Sequence, residues 1–153
     1  MRSKSIHITT TAVLGAAALG LSGCSGTTTT ANNAKSSTIT FVPGVIGDEF
    51  YITMECGIKE KAKELGAAVV TQGPEKSDPA LQRTTVDQVV AAKPDGMLVA
   101  PADVTAMSAP LKAASAAGIT VGLVDTTVSD PSFAATQVAS DNVGGGTEAF
   151  KAL

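Results

Sequence analysis

Histidine is almost missing from this chain: of 153 residues only His7 carries an imidazole, and it falls in a segment that reads as a removable leader. The domain that follows therefore has none, which excludes serine–histidine–aspartate and cysteine–histidine catalysis and the usual zinc sites. Cysteine is nearly as scarce. Cys24 and Cys56 make no disulfide framework; Cys24 directly follows the leader, and Cys56, alone in a helical stretch, reads as a small, partly buried helix residue rather than a nucleophile. Tryptophan is absent, and one tyrosine and four phenylalanines are the only aromatics. Basic charge is short too. The net charge of −3 becomes about −5 once Arg2 and Lys4 leave with the leader, which argues against nucleic acid as a partner.

What is present begins with that leader. Arg2 and Lys4 precede an uncharged apolar run, Ile8 to Leu21, too short for a comfortable membrane span. The run ends in Leu21-Ser22-Gly23-Cys24, which resembles the cleavage site of bacterial lipoprotein signal peptides. Residues 1–23 are therefore expected to be a lipoprotein signal peptide and Cys24 the lipidated first residue of the mature protein. Acyl chains would moor it to a membrane at about 0.8 kcal/mol per buried CH₂. Residues 24–37 are small and polar with nothing to bury, as in a flexible tether. The expected location is extracytoplasmic, lipid-anchored to the cell membrane.

From Thr38 to Leu153 about 116 residues remain, enough for one core. Short β-rich runs alternate there with amphipathic segments. Thr38–Val42, Ala67–Thr71, Gly96–Ala100, Ile119–Val124 and Ala135–Ala139 read as strands. The Gly96–Ala100 run, apolar throughout, predicts a strand covered on both faces. Glu49–Leu65 predicts a helix with Ile58, Ala62 and Leu65 inward, stopped by Gly66. Asp78-Pro79 opens a second helix, with an acid at the N-cap and proline at N1, carrying Leu81, Thr85, Val89 and Ala92 on one side. Asp103 is expected to cap a third, running through Ala117, and after a glycine run Thr147–Leu153 starts a fourth. Strands and helices in this order predict an α/β fold, a doubly wound parallel sheet with helices on both faces.

In such sheets ligands sit beyond the carboxyl ends of the strands, near the switch in strand order. Phe50 and Tyr51 fall together there, at the start of the first helix. Their rings offer a platform for the C–H face of a sugar, while Asp48 and Asp125 can accept hydroxyl hydrogen bonds. Core packing at the helix start is the plain alternative for the two aromatics, and a turn-forming strand-end acid the alternative for Asp125. Asp103 is mainly a cap, with any ligand contact secondary. Gly144-Gly145-Gly146 lacks the Gly-Lys-Ser/Thr ending of a phosphate loop and the spacing of a dinucleotide site. Adjacent Asp48 and Glu49 are poorly placed to converge on one scissile bond.

Several of these segments resemble the type I periplasmic binding proteins of sugar ABC transporters, of the ribose/galactose-binding kind. Gly47-Asp48-Glu49-Phe50-Tyr51 resembles the family's Asn-x-Phe-Phe/Tyr opening of helix one, and Gly57 with Lys63-Glu64-Leu65-Gly66 resembles that helix's middle and end. Pro94-Asp95-Gly96-Met97-Leu98-Val99-Ala100-Pro101 is similar to its Val-Asp-Gly-Ile-Ile-Ile-x-Pro strand, and Gly118-Ile119-Thr120-Val121 to its Gly-Ile-Pro-Val strand start. Ala139-Ser140-Asp141-Asn142 resembles the Ser-Asp-Asn before the helix leading toward a second lobe. The resemblance implies a solute-binding component of an ABC transporter, with Asp48, Phe50, Tyr51 and Asp125 as ligand contacts, a membrane permease as partner and no cofactor. Asp48 stands where many members have Asn, and Thr126 stands where ribose-type members have Arg. Losing that guanidinium removes a bidentate hydroxyl clamp, so the expected ligand is a sugar, a polyol or a related small polar solute rather than ribose in particular. Members clamp their ligand between two lobes, so residues 38–153 are expected to be the N-terminal lobe, truncated, with the second lobe absent.

Two other function classes compete. The effector-sensing core of a sugar-responsive transcriptional repressor shares this fold, but it needs a helix-turn-helix and a basic surface where this chain has a leader and an acidic balance. An extracytoplasmic α/β enzyme is weakened by the missing imidazole and by the absence of a nucleophile elbow.

Overall fold

The computed structural model describes residues 36–153. The signal-peptide reading, the Cys24 lipidation site and all but the last two residues of the expected tether lie outside the described residues. Among those described, no helix is long and apolar enough to cross a membrane.

Five parallel strands form one sheet: β1 (Thr38–Val42), β2 (Ala68–Thr71), β3 (Gly96–Val99), β4 (Thr120–Val124) and β5 (Thr136–Val138), in the order β2-β1-β3-β4-β5. The helices are α1 (Glu49–Glu64), α2 (Pro79–Ala92), α3 (Ser108–Ala116) and α4 (Asn142–Lys151). The β1–α1–β2 unit winds one way and the chain then crosses back over β1 to β3. The loops leaving β1 and β3 therefore part to opposite sides, which opens a crevice at their carboxyl ends.

Side-chain alternation along the strands divides the core into two. On one face Val42, Met97, Val99, Val121 and Leu123 pack against Val86 and Val89 of α2 and Met107, Leu111 and Ala114 around α3. On the other face Phe41, Ala100 and Val124 meet Tyr51, Met54 and Ile58 of α1, with Val69 and Leu98. Leu98 is only half-buried, so β3 is not fully covered on both faces as its apolar run predicted. An apolar groove of about 320 Å³ lies between α1 and the sheet, lined by Ile39, Ile58, Ala62, Leu65 and Leu98 among others.

Local chemistry sets the boundaries. Asp78 accepts from the amides of Ala80 and Leu81 at 2.8 and 3.0 Å, with Pro79 at the first helical position, as its spacing predicts. α2 ends at Lys93, which takes the left-handed conformation (φ 53°) as its cap. Gly66 (φ +70°) ends α1: its amide bonds the Lys63 carbonyl and that of Ala67 bonds Ala62, a Schellman closure.

Five expectations are corrected. Leu65 is 72% exposed, because it is the residue after the last turn of α1 and sits at the lip of the groove. The inward face of α2 is Gln82, Val86 and Val89, not Leu81, Thr85 and Ala92, since a buried glutamine takes the place assigned to an apolar residue. Asp103 caps a turn through Thr105 and Ala106, and α3 begins only at Ser108. Pro110 explains the delay: its ring would clash with the Ala106 carbonyl in a continuous helix, so it is confined to the first turn. The glycine run lies inside α4, not before it, because Asp141 accepts from the Gly144 amide at 2.8 Å and starts the helix there. No residue of α4 is buried. Cys56 is exposed rather than partly buried.

Candidate functional site

The carboxyl edge of the sheet carries most of the residues singled out by sequence. Asp48, in extended conformation, is the N-cap of α1; its Oδ1 accepts from the Phe50 amide at 2.9 Å. This cap fixes the direction in which α1 leaves the edge, and so the placement of the next two residues. Phe50 is 50% exposed. Its ring stands edge-on to Tyr51, with centroids 5.3 Å apart and planes at 71°, a favoured aromatic geometry.

Tyr51 turns under the rim, and its hydroxyl donates to Asp125 Oδ2 at 2.9 Å. Burial first, then the hydrogen bond and charge of Asp125, then the charge of Asp48, push the phenol from its ordinary 10.0 up to about 12. The nearby Gly44 backbone amide works in the opposite direction. A side chain at position 44 would force Tyr51 to shift, since a Cβ there would stand 2.7 Å from the Tyr51 hydroxyl oxygen.

Asp125 follows β4 and adopts a left-handed conformation (φ 64°), uncommon for a residue with a side chain. Its amide is tied to the Val138 carbonyl at 2.8 Å, which holds the strained turn and aims the carboxylate back toward Tyr51. Asp125 Oδ1 takes no hydrogen bond among the described residues. Thr126 donates through Oγ1 to the Pro101 carbonyl at 2.7 Å, joining the loop after β4 to the loop after β3. Asp103 is exposed, and the amides of Ala106 and Thr105 hold its carboxyl below the usual carboxylate range. Its polar contacts are to its own turn, so the structure does not bring it to the Tyr51–Asp125 pair.

One rim residue escaped the sequence reading. Gln82, 0% exposed, donates through Nε2 to the carbonyls of Pro43 (3.1 Å) and Ala100 (2.7 Å), and its Oε1 accepts from the Ala102 amide at 2.8 Å. The signal was available: Gln82, Val86 and Val89 have the i, i+4, i+7 spacing of one helix face. A glutamine at such a position has to find partners.

The site thus offers an exposed aromatic face, a carboxylate held firmly by a phenol, and carboxylate oxygens able to accept from hydroxyl donors. Among the described residues no group of three His, Cys, Asp or Glu side chains is placed to hold a metal. None of the candidate residues lines the apolar groove beside α1.

Residues 39–153 match the family described as the periplasmic binding protein domain. The ribose import binding protein RbsB of Bacillus subtilis is 30% identical over 114 residues, which are 74% of this chain and 37% of that protein. An ABC transporter solute binding protein from Agrobacterium vitis, solved with alpha-D-tagatopyranose, is 38% identical and superposes with a TM-score of 0.73, over 76% of this chain and 42% of its own. LsrB from Clostridium saccharobutylicum, solved in complex with AI-2, is 27% identical with a TM-score of 0.64, over 67% of this chain and 31% of its own. This chain therefore spans less than half the length of each of these relatives. With its parallel sheet, its carboxyl-edge aromatics and nearly all of its described residues inside the match, the chain belongs to the family of periplasmic binding protein domains.

Proposed function

We propose that this protein contributes one wall of the ligand site of an ABC-transporter solute-binding protein, and that the solute is a neutral sugar, a polyol or a related small polar molecule. Binding without turnover is the activity assigned, with a membrane permease as the partner that receives the solute. Phe50 stacks on a ring's C–H face, and the carboxylates of Asp48 and Asp125 accept its hydroxyls. Tyr51 fixes Asp125 and adds its own oxygen. Thr126 shapes the loop between them, and Asp103 stays a secondary contact.

The observation that carries this reading is the Tyr51–Asp125 hydrogen bond, set beside the exposed Phe50 ring at the sheet's carboxyl edge. An aromatic face next to oriented acceptors is the chemistry a polyhydroxylated ring needs. The named ligand of the Agrobacterium vitis relative, a ketohexose, supports it. The lipoprotein pattern ending at Cys24 places the protein outside the cytoplasm on a lipid anchor in this proposal.

The test is a calorimetric and thermal-shift panel on the whole gene product with D-ribose, D-tagatose, D-allose and D-arabinose. At least one sugar should raise the melting temperature, and Asp125→Ala should abolish that rise. A panel in which no sugar shifts the wild type would overturn the reading. For the anchor, Cys24→Ala should move the protein from the membrane fraction to the soluble extracytoplasmic fraction; retention on the membrane would remove the lipid assignment.

A further inference from the structure

Gln82 does more than fill the space between α2 and the sheet. Its two amide hydrogens and its carbonyl oxygen are all engaged, and each partner belongs to a loop leaving the carboxyl edge: Pro43 after β1, Ala100 and Ala102 after β3. Only one orientation of the amide satisfies two carbonyls and one N–H at once, so the side chain is fixed as well as bonded.

The Pro43 contact reaches further. The carbonyl that Gln82 holds and the Gly44 N–H belong to one planar peptide unit. The Tyr51 phenol lies against that peptide, so close that a Cβ on Gly44 would stand 2.7 Å from its oxygen, and the phenol donates to Asp125. Gln82 is thus linked to Asp125 through its hydrogen bond to Pro43, the packing of Tyr51 on the Pro43–Gly44 peptide, and the Tyr51–Asp125 hydrogen bond. The absence of a side chain at Gly44 lets the ring approach that peptide closely.

We infer that Gln82 is a positioning residue for the ligand rim: it fixes the tilt of the Pro43–Gly44 peptide, and through it the placement of the Tyr51 hydroxyl and the Asp125 carboxylate. As a determinant of affinity it rests on the function proposed above; as a determinant of rim geometry it stands alone. A methionine of similar volume would keep the packing and leave Pro43, Ala100 and Ala102 without their partner. A glutamate would set an anion against two carbonyl oxygens, a worse result at the same size.

The experiment compares wild type, Gln82→Met and Gln82→Glu by three readouts. Amide exchange at Ala102, a loop position, should be slowed about 100-fold or more in the wild type and should accelerate at least about tenfold in Gln82→Met. Tyr51 is the sole tyrosine in a chain without tryptophan, so acrylamide quenching of intrinsic emission reports on it alone; the quenching constant should rise severalfold in both variants. Protection of Val121 and Leu123 should stay as in wild type in Gln82→Met, and titration with D-tagatose should show affinity reduced about tenfold or more. A merely structural glutamine would lower the melting temperature and leave Tyr51 quenching unchanged, and that result overturns the inference. So does an Ala102 amide in the wild type that exchanges at the rate of an unstructured peptide, a readout that needs no variant to fold. If wild type binds no sugar, the proposed function fails while Ala102 and Tyr51 still decide the role of Gln82.

Discussion

The Tyr51 hydroxyl donates to Asp125 Oδ2 at 2.9 Å, joining residues 74 positions apart in sequence. α1 delivers one partner and the turn after β4 the other, so the bond exists only when the sheet between them is formed. It also keeps the phenol protonated, with burial as the larger cause, then the aspartate's hydrogen bond and charge.

This gives a pH dependence of definite sign. The folded phenol titrates at about 12 against 10.0 unperturbed, so below pH 10 both folded and unfolded chains hold the proton. Above it the unfolded chain ionises first, and the contribution of Tyr51 to stability is lost as pH rises toward 12. Ultraviolet titration of this single tyrosine should give a midpoint near 12, and Asp125→Asn should lower it while leaving it above 10, because burial remains.

Tyr51→Phe keeps the ring and its edge-on contact with Phe50 but removes the donor to Asp125. Urea denaturation should show a loss of about 1 kcal/mol, the net value of one hydrogen bond.

Gly44→Ala should cost about 1–3 kcal/mol by overpacking, because the new methyl would stand 2.7 Å from the Tyr51 oxygen. Tyr51 emission should change along with the melting temperature, since the ring itself has to move.

Leu111→Ala, in the core between α3 and the sheet where Leu111 is 0% exposed, should destabilise by about 2–5 kcal/mol. Asp78→Ala, which strips the cap from α2, should cost about 0.5–2 kcal/mol. Denaturant melts that show no loss in either would contradict the packing described.

What was legible in the sequence followed from interactions between near neighbours. Asp78-Pro79 and Gly66 mark helix ends because caps involve residues only a few positions apart. The strands were readable because β-rich runs are bounded by glycine and proline. Phe50 and the strand-end Asp125 were singled out as candidates because parallel sheets concentrate ligands at one edge. The rest depended on partners distant in sequence. Gln82 is buried because two loops, 18 and 39 positions away, supply its acceptors; helix periodicity alone assigned that face to Leu81. The late start of α3 was written in Pro110, a steric veto that outranks the inviting cap at Asp103. In α4 a single capping bond from Asp141 overrides the poor helix propensity of three glycines.

The two faces of the sheet are unequally furnished: twelve buried residues make up the cluster on the α2 and α3 side, and three make up the cluster beneath α1. Of α1 itself only Ala62 is buried. The helix that presents Asp48, Phe50 and Tyr51 thus rides on the lightly ballasted side of the molecule, while the keel lies opposite. The rim proposed to meet a solute therefore borrows little from the larger core, so it can be retuned by drift or by design without capsizing the domain.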